Sequence, residues 1–397
     1  MSTQATASSS ISPATPPRVL VWYEGNGDTF FRISERIATW LARDLSAGNI
    51  AVALTDRAEC LPRLRARGHT VFPYAGPRGV AAKLAVLASL PGNWLRFGRI
   101  LDEVRPDVVI LTSNFALAPF LVGQIRKRGI RLVYLPHDPM PHTGDFLPQW
   151  QKFAQDRVLA TSHHLVFLSD AMRDAARTLG GRFTSLPASV TPLHSLGFPV
   201  SQMPRAPITG RPVRFLFLGR MIRYKGLDLL CEACRLLAHR TDWQLTLAGG
   251  GPEVAQVRAD FAGLPQVDAS RLRYLEEHEI DALNLEHDVL ICPYRDATQS
   301  GAVAEATLTG LPSIVTPVGA LPAQVDFGAA GWVTADVSAA ALARTMAEIL
   351  DHPETVPAMS AAVLAFWART TTGNPWMDII TTTLRSSVRG MPDVARP

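Results

Sequence analysis

From Arg18 onward, short apolar runs alternate with longer stretches in which apolar residues recur every three or four positions. "RVLVWY" predicts a strand and "FFRISERIATWLARDL" a helix with Ile33, Ile37 and Leu41 on one face. "NIAVALT" predicts a second strand and "ECLPRLRARG" a short helix closed by Gly68. "HTVFPY" reads as a strand, and "DVVILTS" as another after a helix ending near Val104. "PFLVGQIRKRG" follows as a helix with a glycine stop and "IRLVYLPHD" as a strand, and "HLVFLS" and "RFTSLP" finish this half.

Residues 199–212, "PVSQMPRAPITGRP", are polar and Pro-rich, the composition of a linker. The alternation then restarts, with "VRFLFLG", "WQLTLAG", "RLRYLE", "DVLICP", "PSIVTP" and a short "GWVT" as strands. Continuous apolar strands between helices imply a parallel sheet covered on both faces. The expected fold class is α/β, with two doubly wound, Rossmann-like domains facing a central cleft. The expected boundaries are a disordered tail at 1–16, a first domain at 17–200 and a second at 201–375. A closing helix and tail at 376–397 is expected to pack back on the first domain.

A chain of 397 residues suits two domains rather than one core. The opening "MSTQATASSSISPATPP" lacks a basic start and an apolar core, so it reads as a polar tail rather than a signal peptide. The longest apolar stretch, Val80 to Leu90, is interrupted by Lys83 and closed by Pro91, too short to span a bilayer. These features imply a cytoplasmic protein. Cys231 and Cys234 form a CxxC with no second pair nearby, which favours two core thiols over structural zinc.

Charge is unevenly placed. Residues 1–200 hold 22 Lys+Arg against 14 Asp+Glu, net +8, and the remainder holds 17 against 21, net −4. A basic first half suggests an anionic surface or substrate on that side. An anionic membrane is a candidate partner, through "VAAKLAVLASLPGNWLRFGRI", where Trp94 and Phe97 stand beside Arg96 and Arg99. An ordinary helix packed on its sheet explains that segment nearly as well. The basic residues lack interleaved aromatics, so nucleic acid is not an expected partner.

Every polar cluster of interest falls at a strand exit. "GRMIRYKG" follows "VRFLFL" and delivers Arg220 and Lys225 beside Gly219, with Arg223 free to face solvent. Positive charge opposes the helix dipole at such a site, so a bound phosphate accounts for it better than exposed bases do. "SGAVAEATLTG" reads as a helix stopped by Gly310, with anion-ready amides at Ser300, Gly301 and Ala302. Glu305, one turn further in, suits a ribose diol, with a salt bridge ranked second.

These residues carry a resemblance. "FLFLGRMIRYKGLDLL", "LTLAGGGPE" and "AEATLTGLPSIVTPVGALP" resemble, in that order and spacing, the donor domain of family 4 retaining glycosyltransferases of GT-B fold. The likeness covers roughly Val213 to Val333. It implies that Arg220 and Lys225 hold a donor diphosphate and act in catalysis, that Glu305 holds the ribose, and that Gly219 and Gly250 line the donor loops. Many members place a first glutamate eight residues before the second. Here that position is Ala297, inside an Ala-Thr-Gln-Ser-Gly turn resembling a subset of the family, and Thr298, Gln299 and Ser300 are expected to take over sugar contacts.

In the first half, His137-Asp138 in "LPHDPMPHTGD" resembles the family's His-Asp turn, with His137 a catalytic candidate and Asp138 its orienting partner. Gly25, Asn26 and Gly27 in "YEGNGD", and Ser169 after "HLVFLS", are further acceptor-side candidates. His142 and Asp145 are weaker ones, and no metal site is expected. The implied activity is transfer of a sugar from a nucleotide-diphosphate sugar to a saccharide or lipid-linked saccharide hydroxyl, in polysaccharide or lipid-linked oligosaccharide biosynthesis. No cofactor and no divalent metal are expected. A nucleotide-sugar 2-epimerase and a non-catalytic sugar-binding protein are the alternatives.

Overall fold

A computed structural model describes residues 15–25, 28–74, 82–113, 117–136 and 148–386. Strands β1 (Val19–Trp22), β2 (Ile50–Thr55) and β3 (Thr70–Tyr74) alternate with helices α1 (Asp28–Leu41) and α2 (Leu61–Ala66). Helix α3 (Ala82–Val104), β4 (Val108–Leu111), α4 (Ala118–Lys127), β5 (Arg131–Tyr134) and α5 (Pro148–Thr161) follow. Then come β6 (His164–Phe167), α6 (Asp170–Thr178), α7 (Arg182–Ser185) and β7 (Ala188–Val190). The seven strands form one sheet in the order β3-β2-β1-β4-β5-β6-β7, parallel from β3 to β6. The central strands are buried along their whole length because helices cover both faces. Pro73 is tolerated in β3 because that strand lies at the edge, where a missing N–H breaks no ladder.

The second sheet is built from β8 (Val213–Leu218), β9 (Trp243–Ala248), β10 (Val267–Arg271), β11 (Val289–Cys292), β12 (Ser313–Val315) and β13 (Trp332–Val333). Between them run α8 (Leu227–Leu236), α9 (Val254–Asp260), α10 (Glu277–Glu286), α11 (Gly301–Leu308) and α12 (Leu321–Gln324). Helices α13 (Ala339–Asp351), α14 (Thr355–Thr370) and α15 (Pro375–Arg385) end the described chain. The order is β10-β9-β8-β11-β12-β13, all parallel. Both folds are doubly wound α/β, as the alternation implies.

By packing, the chain divides into two units. One holds the described residues up to Val166, Leu179–Ser189 and those from Asn374 onward; the other holds Phe167–Thr178 and Val190–Gly373. Helix α15 belongs to the first unit and packs on α1 and β5. Its apolar Trp376, Ile379 and Ile380 share one buried face. Asn374 caps it, its Oδ1 accepting from the Trp376 amide at 3.2 Å while its Nδ2 donates to the Trp40 carbonyl at 2.7 Å.

Two elements depart from the sequence expectation. "RFTSLP" does not form a strand; Arg182–Ser185 coil into a helical turn after Gly180 and Gly181, both at positive φ, and the strand comes later at β7. "RLRYLE" is also not a strand. β10 lies upstream at "VDASR", an edge strand with Asp268, Ser270 and Arg271 in solvent, and therefore without an apolar run to mark it. Cys231 and Cys234 are buried on α8, and Cys60 and Cys292 are likewise buried and outside any disulfide among the described residues.

Candidate active site

In the second unit the strand order reverses between β8 and β11. Ligands of doubly wound sheets sit outside the carboxyl ends of the strands at such a reversal. The loops that leave β8 and β11 there are "GRMIRYKG" and "PYRDATQSG".

The first loop is fixed by backbone contact. The Gly219 amide donates to the Ala248 carbonyl (3.0 Å), Met221 to Gly250 (2.8 Å) and Glu253 to Met221 (3.1 Å). Gly249, at φ +127°, lies so close that a Cβ there would sit 2.0 Å from the Gly219 carbonyl oxygen. Thus the glycines of "LAGGGP" bring two strand-exit loops together, and Gly250 serves first through its carbonyl. Beyond Met221, which is buried, the chain makes one 3₁₀ turn at Arg223–Lys225 and enters α8 through left-handed Gly226. Arg220 and Arg223 are exposed.

Lys225 is half-buried. Its Nζ stands 3.6 Å from the centroid of the Tyr294 ring and 5.1 Å from that of Tyr224. Among the described residues no carboxylate lies within ion-pair distance of it. Burial pushes its pKa down to about 8, with Arg220 acting in the same direction and Cys292 opposing. The neighbouring cation Arg295 is taken up by Asp228, at 2.5 Å.

The second loop ends at α11. Ser300 is its N-cap, and the Ser300 hydroxyl accepts from the Val303 amide (3.4 Å) and meets the Tyr294 hydroxyl (3.1 Å). The Ser300 amide, expected to be open, is not: it donates to Gln324 Oε1 at 2.7 Å, while Gln324 Nε2 donates to the Ser300 carbonyl at 2.9 Å. Among the described residues nothing accepts from the amides of Gly301 and Ala302. Thr298 is exposed, and its carbonyl accepts from the Ala320 amide at 3.3 Å. Gln299 is half-buried, and its Oε1 is buried with no hydrogen-bond partner among the described residues. Glu305 is partly buried on α11, one turn beyond Gly301.

Arg220, Lys225, Thr298, Gln299, Gly301, Ala302 and Glu305 thus lie on the two loops and the helix that flank one reversal. Sequence reading missed Tyr294 and Gln324. The first hides at the end of an apolar run, and the second is a lone amide in the apolar "ALPAQV". Among the described residues no three His, Cys, Asp or Glu side chains gather as a metal would require.

Candidates from the first half of the sequence fare differently. His137, Asp138, His142, Asp145, Asn26 and Gly27 lie outside the described residues. Gly25 is buried at the exit of β1, and its carbonyl accepts from Thr55 Oγ1 at 3.3 Å. Beside it Glu24, only 1% exposed, accepts from the Leu117 and Ala118 amides (3.1 and 2.6 Å) at the start of α4. That carboxylate also helps push the Tyr74 hydroxyl pKa well up, after burial. Ser169 Oγ accepts from the Met172 amide at 3.2 Å and so caps α6.

Residues 212–352 match the family model described as "Glycosyl transferases group 1", and residues 34–188 match "Glycosyl transferase 4-like domain". A putative colanic acid biosynthesis glycosyltransferase, WcaL, of Salmonella typhimurium strain LT2 is 28% identical over 36% of this chain and 38% of its own. A 2-deoxystreptamine glucosyltransferase of Streptomyces kanamyceticus is 32% identical over 38% of this chain and 39% of its own. The match therefore spans about two fifths of these relatives' length. Among solved structures, Anabaena HepE in complex with UDP-glucose aligns with a TM-score of 0.66 at 15% identity, covering 93% of this chain and 98% of that one.

Proposed function

From a chain that belongs to the group 1, family 4-like glycosyltransferases of GT-B fold, we propose a retaining glycosyltransferase that takes its sugar from a nucleotide-diphosphate donor. The observation that carries the reading is Lys225: a half-buried ammonium at the reversal, without a carboxylate in ion-pair range among the described residues, on the ring of Tyr294, whose hydroxyl meets the Ser300 cap of α11. As the glycosidic bond breaks, negative charge grows on the departing diphosphate. Lys225, Arg220 and the Gly301 and Ala302 amides are aimed at that charge, which is where transition-state stabilisation is largest. Fixed cations fill the role of a divalent metal, so none is required.

Glu305 takes the ribose hydroxyls. Gln299, whose buried Oε1 has no partner among the described residues, takes over the donor-sugar contact in the turn whose first position, a glutamate in other members of the family, is Ala297 here. Thr298 lines the same turn, and Ser300 holds it in place. His137 and Asp138 serve the acceptor, a saccharide or lipid-linked saccharide in polysaccharide biosynthesis. The relatives named for colanic acid and for an aminocyclitol favour a hydroxyl-bearing acceptor.

The test is to incubate the protein with nucleotide sugars, with and without an acceptor extract, in excess EDTA. Free nucleoside diphosphate forming only with acceptor supports the reading. Epimerised donor without acceptor, or an absolute requirement for added magnesium or manganese, overturns it.

A further inference from the structure

Tyr294 occupies the second position beyond β11 and is fully buried. One face of its ring lies 3.6 Å from Lys225 Nζ, and its hydroxyl meets Ser300 Oγ at 3.1 Å. Its carbonyl accepts from Thr316 Oγ1 at 2.6 Å, and the Tyr224 ring meets it edge-on with centroids 6.4 Å apart. The side chain thus reaches from the cation of one strand-exit loop to the cap of the helix that follows the other.

A partly buried ammonium needs compensation. A carboxylate would supply it but would also compete with an incoming anion. The face of an aromatic ring attracts the cation through its quadrupole without neutralising it. We propose that Tyr294 is a positioning residue for donor binding: its ring carries the Lys225 ammonium and its hydroxyl fixes Ser300 at the head of α11, presetting the spacing of both groups for a diphosphate. The inference rests on the donor-site reading above.

The charged and titratable groups facing Lys225 are Arg220 and Tyr224 from its own loop, and Cys292 and Tyr294 from β11 and its exit. Asp228 on α8 is engaged by Arg295. Lys225 is held down to about 8 by burial, then by Arg220. Terminal phosphates titrate near pH ~6. Diphosphate affinity should therefore fall as pH rises through about 8, where the ammonium is lost.

The experiment is calorimetric titration of UDP, GDP, ADP and dTDP from mildly acidic to alkaline pH, on wild type and variants. Wild type should show the alkaline loss and Lys225→Ala should lack it. Tyr294→Leu removes the ring, so the loss should move to lower pH by about half a unit or more, with affinity at neutral pH about tenfold weaker. Tyr294→Phe keeps the ring, so the position of the loss should stay while affinity falls by roughly three- to tenfold. If Tyr294→Leu does not fold, a cycle of Tyr294→Phe with Ser300→Ala decides, because both delete the Tyr294–Ser300 bond, Ser300→Ala losing the cap to Val303 as well, so their effects should not add. A pH profile unmoved by Tyr294→Leu, or additive effects in the cycle, overturns the inference while leaving the donor site standing. A wild-type protein that binds none of the four nucleotides overturns the donor reading and this inference together.

Discussion

The proposed donor site turns on how single side chains keep or lose their charge. Lys225 is desolvated, repelled by Arg220 and supported by a ring rather than a carboxylate, so it stays protonated below about pH 8 and remains available to an anion. Lys225→Ala and Arg220→Ala should each lower turnover by about 10²-fold or more, because each removes a contact that strengthens as the leaving group departs. Steady-state rates on the cognate donor check this, and wild-type rates in both variants would contradict it. The two cations were legible in the sequence because charge between a buried strand and a helix is anomalous. Tyr294 and Gln324 were not, since nothing local separates an aromatic at a strand end, or one amide in an apolar turn, from ordinary packing. The Ser300 amide was misread for the same reason: its partner lies 24 residues away, on α12.

Elements place these side chains through backbone contact. Gln324 makes two hydrogen bonds with the Ser300 backbone and so seats the N-terminus of α11. Gln324→Ala would leave the buried Ser300 amide without an acceptor, while the Ser300 carbonyl keeps its bond from the Ala304 amide at 3.2 Å, and should destabilise the protein by about 1–3 kcal/mol. A urea midpoint equal to that of wild type would contradict this. Strand alternation was legible wherever strands are central and wholly apolar, and it failed at β10 and at "RFTSLP", where exposure dilutes the pattern. Helix α3 has a buried face and an exposed one. Phe97 is core, its ring tilted against that of Trp22 with centroids 4.3 Å apart, whereas Trp94 and Leu95 are 44% and 55% exposed beside Arg96 and Arg99. On α5, Trp150 and Phe153 are also exposed, near Lys152. No helix among the described residues is long and apolar enough to cross a membrane. We propose that these aromatic and basic positions meet an anionic membrane surface, so the protein should sediment with anionic vesicles at low salt and release as salt rises. Binding absent at low salt, or indifferent to salt, would leave α3 as an ordinary covering helix.

At the scale of the whole molecule, both units carry imidazoles buried in neutral form. Burial pushes His163 and His194 down to about 4, with Arg131 and Arg182 adding to the effect on His163, and His69, His164 and His287 are lowered too. Their folded pKa values lie below the unfolded value of 6.5, so the unfolded chain binds more protons between about 4 and 6.5. Stability should therefore be full above pH 6.5 and fall as pH drops towards 4, by on the order of 1–3 kcal/mol for each well-buried group. Urea midpoints measured down that range check the sign, and a midpoint constant between pH 7 and 5 would contradict it. The central claim is that the second unit holds a nucleotide-diphosphate sugar through Lys225, Arg220 and α11, and thermal unfolding across a panel of nucleotide sugars tests it most directly. A ligand present at a hundredfold excess over its Kd stabilises the folded state by about 2.7 kcal/mol. At least one nucleotide sugar should raise the melting temperature of wild type, and Lys225→Ala and Arg220→Ala should lose most of that rise. A panel with no effect on wild type, or a rise undiminished in both variants, would contradict the claim.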